Sequence, residues 1–242
     1  MLVIKLLIAA SAMLCSAGEV PELEEVYRSG DDGSVLPSLE QLRHQYRNTE
    51  FEVEPRPDLT GLSGMWKRSE NPVNGDLETY LRCQGSATDA KTRQKWALQA
   101  AQALKALHAI DIIHQDVTPR NYLLNENLDL RICDFAHSSF PGHSSTTGAS
   151  GSRYQLCAWN KGYIPTASDD IFSLGSVLYF IMCGEEPYSD LYEDEVEHRF
   201  ASSDFPASDH LDCGTVIQSC WNRTFTTAEE VIQALPHDKD VT

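Results

Sequence analysis

The chain has 242 residues, 41% of them hydrophobic and 23% charged, which suffices for one substantial buried core and excludes a disordered polymer. Its 36 acidic residues against 19 basic ones leave a formal charge of -17, a mean field that repels phosphate backbones and anionic lipid, so no nucleic-acid partner is expected. A nucleotide held through a divalent metal stays compatible with that field, because the ion stands between carboxylate and phosphate.

Residues 1–17 (MLVIKLLIAASAMLCSA) are apolar with one early lysine and end in small residues, the pattern of a secretory signal or membrane anchor. The alternative is a buried strand and helix start. Seven cysteines are scattered with no pair at two-residue spacing, so free thiols and a cytoplasmic setting are expected. Secretion or membrane anchoring follows instead if residues 1–17 act as a signal. Residues 18–70 are acidic, broken by Pro21, Pro37, Pro55 and Pro57, and carry one helical patch at 36–47.

Asn74-Gly75 predicts a turn into a short helix over 76–82, with Asp76 placing negative charge in the first turn. Thr88-Asp89 opens a long helix over 90–109, whose Ala97, Ala100, Ala101, Leu104 and Leu107 share one face. A strand is expected over 110–113, then a polar loop and a hairpin built from 122–124 and 128–132 across Asn125-Glu126-Asn127. Residues 138–152, rich in Ser, Thr and Gly, predict a mobile loop. The run 170–183 is apolar on nearly every face and closes at Gly184 and Pro187. At about 1.5 Å per residue it falls short of the roughly 30 Å hydrocarbon core, so it is a core helix. Helices over 192–200, 211–221 and 227–235 follow, then a charged tail at 236–242.

Between His114 and Asp134 the chain brings two acids and an amide, Asp116, Asn121 and Asp134, to one edge of the hairpin. Phosphoryl transfer needs oxygen ligands for magnesium, a carboxylate to orient and deprotonate the attacking hydroxyl, and a nearby cation. The motifs are more specific than the residue types. His114-Gln115-Asp116-Val117-Thr118-Pro119-Arg120-Asn121 resembles the protein-kinase catalytic loop H-R-D-L-x-x-x-N, and Asp134-Phe135-Ala136 resembles D-F-G. The run from Ser168 to Gly175 resembles the start of that family's buried central helix, and Cys220-Trp221 a late helix of the same lobe. The wording from His114 to Ala136 is similar to kinase-like proteins of fungi.

The resemblance to eukaryotic-type protein kinases implies an α+β fold: a mainly α-helical C-terminal lobe over 71–235 with small β-hairpins, and an incomplete nucleotide lobe within 18–70. It implies ATP and magnesium as cofactors, Asp116 as catalytic base, Asn121 and Asp134 as metal ligands, and Leu123 as part of the floor under adenine. Arg120 becomes the candidate cation near the transferred phosphate. His114 is expected to pack under Phe135, and Asp170 to accept hydrogen bonds from the catalytic-loop backbone.

Several positions depart from the pattern. Gln115 stands where regulated kinases carry the arginine that pairs with a loop phosphate, so activity is expected not to require loop phosphorylation. Thr118 replaces a lysine, Ala136 replaces glycine, and Cys157-Ala158-Trp159 stands where the family has A-P-E. No G-x-G-x-x-G run precedes His114. Two readings follow: a protein kinase acting on a protein hydroxyl, Ser or Thr before Tyr, or an inactive kinase-like scaffold or binding module.

Overall fold

The computed structural model describes residues 73–135, 137–139, 150–156 and 163–236. The expectations for segment 1–17, for the region 18–70 with its helical patch, for Ala136 and for Cys157-Ala158-Trp159 lie outside the described residues.

Helix α1 (Leu77–Gln84) starts where the turn predicts, with Asp76 as N-cap accepting the backbone N–H of Thr79. Helix α2 (Ala90–His108) is capped the same way by Asp89 on the N–H of Thr92, and buries Trp96, Ala97, Ala100, Ala101, Leu104 and Leu107. The strand expected over 110–113 is a turn instead. The N–H groups of Ile110 and Ile112 both donate to the Leu107 carbonyl, and that of Asp111 donates to His108, with Asp111 at φ 56°. Donors spent on closing a helix end cannot enter a ladder. Ile113 alone pairs, in a single antiparallel bridge with Ser139.

Strands β1 (Tyr122–Leu124) and β2 (Leu130–Ile132) form an antiparallel hairpin with Leu123 opposite Arg131. The second strand starts two residues later than the apolar alternation suggests. Asn125 Oδ1 accepts the N–H groups of both Asn127 and Asp129, and Leu128 sits at φ 55°, so residues 125–129 are turn. Trp96 Nε1 donates to the Leu128 carbonyl and Gln99 Oε1 accepts from Leu130, which pins the hairpin onto α2.

Helix α3 (Ala167–Cys183) begins three residues earlier than its apolar run, because Thr166 and Asp169 make a reciprocal capping box, and it ends at Gly184 with φ 82°. Helices α4 (Glu193–Ala201), α5 (Gly214–Trp221) and α6 (Ala228–Ala234) complete the described chain. The expected start of α5 at 211 is a turn, in which Ser208 accepts from Leu211 and Leu211 accepts from Gly214. A Cβ at position 214 would stand 2.0 Å from the Ser208 carbonyl oxygen, so only glycine fits there.

α3 is the axis of the core, packed against α2 and α5, while α6 covers α2. Gly175 lets α5 approach closely: a Cβ there would lie 2.8 Å from that of Cys220. Trp221 Nε1 donates to Ser176 Oγ at 2.9 Å, so the indole enters the core without an orphaned donor. Trp96, Tyr122, Phe172, Phe180 and Phe200 are also buried, each phenylalanine worth about 1.5–3 kcal/mol of apolar transfer. Among the described residues no helix is long and apolar enough to cross a membrane.

Burial pushes the Cys213 thiol up from 9.0 to about 11, with Asp212 adding to it, and pushes the Tyr179 phenol up to about 12. Above pH 9 the unfolded chain therefore releases protons that the folded chain retains. This contribution to stability is complete below pH 9 and is lost as pH rises through 11 to 12. Thermal melts should show Tm falling progressively across that window, with a shallower fall in Cys213→Ala. A profile flat to pH 11 would contradict the burial of these groups.

Candidate active site

The site is built outward from a buried carboxylate. Asp170, in the first turn of α3, accepts the N–H of His114 on Oδ2 at 2.7 Å and the N–H of Gln115 on Oδ1 at 2.9 Å. The ring Nε2 of His108, the last residue of α2, lies 3.0 Å from the same Oδ2. This one side chain of α3 thus ties the end of α2 and the loop that follows α2 to the core helix. Gln115 is held there at φ 67°, a left-handed conformation that side chains other than glycine adopt at about 1–3 kcal/mol and keep only when their surroundings impose it.

The next residues of the loop are organised by an amide. Asn121 closes the 3-10 turn Pro119–Asn121, where proline at the first position presets φ. Its Nδ2 donates to the Asp116 carbonyl at 2.7 Å and to Asp116 Oδ2 at 2.8 Å. Because the amide uses its nitrogen inward, Asn121 Oδ1 and Asp116 Oδ1 are left as acceptors that no donor takes among the described residues.

Asp134 is placed by its neighbours. Cys133 N–H donates to the Asn121 carbonyl at 2.8 Å, and the Cys133 carbonyl lies 2.9 Å from His114 Nε2. The Phe135 ring stands edge-on to the His114 imidazole, 5.2 Å between centroids. His114 is fully buried; Nδ1 accepts the Asp116 N–H while Nε2 faces a carbonyl, which assigns the Nε2–H tautomer. Asp134 itself has φ 61°, a second left-handed residue in the same unit.

Of the five residues singled out in the sequence, Asp116 and Asn121 are in direct contact and Asp134 is tied to the same loop. Leu123 is half-buried on β1, bridged to Asp76 at the head of α1. Arg120 faces outward: its side chain is 73% exposed and its Nε lies 3.6 Å from Glu78 Oε2 on α1. Glu78 is also held by Arg82 at 2.9 Å, so its charge is shared between two guanidinium groups.

Contacts that sequence patterns did not signal complete the frame. Ser138 Oγ donates to the His114 carbonyl at 3.2 Å and Ser150 Oγ to the Gln115 carbonyl at 3.1 Å, both serines being buried. The segment expected to be a mobile loop is therefore bonded at both of its described ends. In a run so rich in serine nothing marks these two, and His108 reads only as the basic last turn of a helix.

The oxygen donors of Asp116, Asn121 and Asp134 are of the hard type that suits magnesium. Among the described residues no three His, Cys, Asp or Glu side chains cluster into a ready cage.

Asp170→Ala should leave two adjacent buried N–H groups unpaired, at about 1–3 kcal/mol each. Urea unfolding should show a lower midpoint at unchanged slope, and an unchanged midpoint would remove Asp170 from the centre of the site.

The family model described as Protein kinase domain matches residues 66–235. A mitogen-activated protein kinase kinase kinase 7-like protein of Drosophila melanogaster is 39% identical over 100 residues, covering 40% of this chain and 25% of the relative. The serine/threonine-protein kinase SIK1 of Mus musculus is 30% identical over 204 residues, covering 81% and 24%. The testis-specific serine/threonine-protein kinase 2 of Mus musculus is 31% identical over 153 residues, covering 57% and 41%. The chain thus spans between 24% and 41% of the length of these relatives.

Proposed function

Because the chain belongs to the protein kinase family, whose domain it matches over residues 66–235, we propose that it transfers the γ-phosphoryl group of ATP to a protein hydroxyl, serine or threonine before tyrosine. The preference for serine or threonine rests on the names of the relatives, two of which are serine/threonine-protein kinases. The observation that carries the reading is the Asn121 amide, which fixes the Asp116 carboxylate through one oxygen and leaves the other open.

In this reading Asp116 Oδ1 accepts a hydrogen bond from the acceptor hydroxyl, orienting its oxygen in line with the γ-phosphorus. As the new O–P bond forms and the bond to the β-phosphate oxygen breaks, the hydroxyl proton passes to Asp116 and ADP leaves. Asn121 Oδ1 and the Asp134 carboxylate would hold magnesium, which when bound offsets the charge on the phosphate oxygens. Leu123, half-buried on β1, offers an apolar surface under the adenine ring. Arg120, exposed and 3.6 Å from Glu78, would supply the cation near the transferred group.

A second reading, an inactive kinase-like binding module, is favoured by the sequence observation that no G-x-G-x-x-G run precedes His114. Phosphotransfer from labelled ATP to a general protein substrate separates the two. Asp116→Asn should lower the rate about 10²–10⁴-fold, the usual worth of a positioned base. Phosphatase-treated chain, with Ser145 and Thr147 verified as unmodified by mass spectrometry, should be as active as untreated chain. Activity that appears only after either is phosphorylated would contradict the part assigned to Gln115.

A further inference from the structure

The backbone of residues 113–115, immediately before Asp116, is bonded at every polar group but reached from two opposite sides. From one side Asp170 takes the N–H groups of His114 and Gln115. From the other, Ser139 exchanges both backbone bonds with Ile113, at 3.0 and 2.9 Å, and the hydroxyls of Ser138 and Ser150 take the carbonyls of His114 and Gln115. Asp170 belongs to the core helix. The serines belong to the two ends of the segment between Phe135 and Arg153.

The Gln115 side chain makes this arrangement consequential. It is 1% exposed, and among the described residues neither its amide nitrogen nor its carbonyl oxygen has a partner. A buried amide without partners disfavours the folded arrangement, and the left-handed backbone at the same residue works in the same direction. The conformation of Gln115 is thus imposed from outside by Asp170 on one side and Ser150 on the other. A carbonyl released from Ser150 would let the peptide that leads into Asp116 relax.

We propose that Ser138 and Ser150 are positioning residues for Asp116: their hydroxyls hold the 114–115 carbonyls, so that the orientation of the candidate base depends on how the ends of the 138–150 segment are seated. The assignment rests on the phosphotransfer reading for its catalytic consequence, and on geometry alone for the tie. It also supplies a neutral tie between this segment and the catalytic loop in a chain where position 115 carries no charge.

The test uses the full chain with Ser150→Thr and Ser150→Val, which add the same bulk and differ in the hydroxyl, beside Ser138→Ala. Hydrogen–deuterium exchange is read at the amides of residues 114–116 and, for reference, within α2 and α3. Loss of one net hydrogen bond should speed exchange at 114–116 by about two- to tenfold in Ser150→Val and Ser138→Ala, with Ser150→Thr near the parent and the helices unchanged. In the phosphotransfer assay the same two variants should lose kcat at unchanged KM for ATP, and Thr should restore what Val removes. Exchange that does not change at 114–116, or that rises equally through α2 and α3, overturns the tie. Exchange that changes as expected in a chain with no transferase activity keeps the tie and rejects the kinase reading. Normal kcat in Ser150→Val despite faster exchange overturns the positioning role.

Discussion

The structure depends on a buried carboxylate that has backbone N–H groups as its partners. Asp170 lies at the positive end of α3, where the helix dipole favours a negative charge, and it accepts two consecutive N–H groups of the loop that carries Asp116. A buried carboxylate is tolerable only when such donors replace its water. Those donors in turn belong to a loop whose conformation no local propensity would select. The buried carboxylate and a left-handed glutamine backbone therefore sit at the same place. The core helix serves the site by presenting this one side chain, while Gly175 and Trp221 lock the helix against α5.

Everything chemical is then one or two bonds away. Asp116 is oriented by Asn121, Asn121 is bonded through its carbonyl to Cys133, and Cys133 and Phe135 both meet His114. Asp134 follows Cys133 directly and so is tied to the same loop through that residue's backbone. Arg120, joined to Glu78 on α1, is the member least committed to this unit.

Much of this was legible in the residues because two kinds of signal were strong. Fixed motif spacing marked the loop and the hairpin, and unbroken apolarity marked α3, whose sides are nearly all buried in fact. Capping chemistry located the starts of α1 and α2 at Asp76 and Asp89. The failures have a common cause. The strand expected over 110–113 and the early start of β2 were inferred from apolar alternation, but the backbone donors there had already been claimed by a helix end and by the Asn125 side chain. Likewise Ser138, Ser150 and His108 act through tertiary hydrogen bonds to main-chain or buried groups, which leave no periodicity to detect. The left-handed residues Gln115 and Asp134 are invisible for the same reason, since nothing in glutamine or aspartate announces a positive φ that the tertiary structure imposes.

The proposed holding of a metal–nucleotide by one loop and one hairpin edge, through Asn121 and Asp134, can be read from the melting temperature of the whole chain with and without magnesium and saturating ATP. Ligand at a hundred times its dissociation constant stabilises by about 2.7 kcal/mol, which is about 5–11 °C for a domain of this size. A shift of that order that requires magnesium and disappears in Asp134→Ala is expected. A well-folded chain with no shift, or a shift that Asp134→Ala retains, would contradict it.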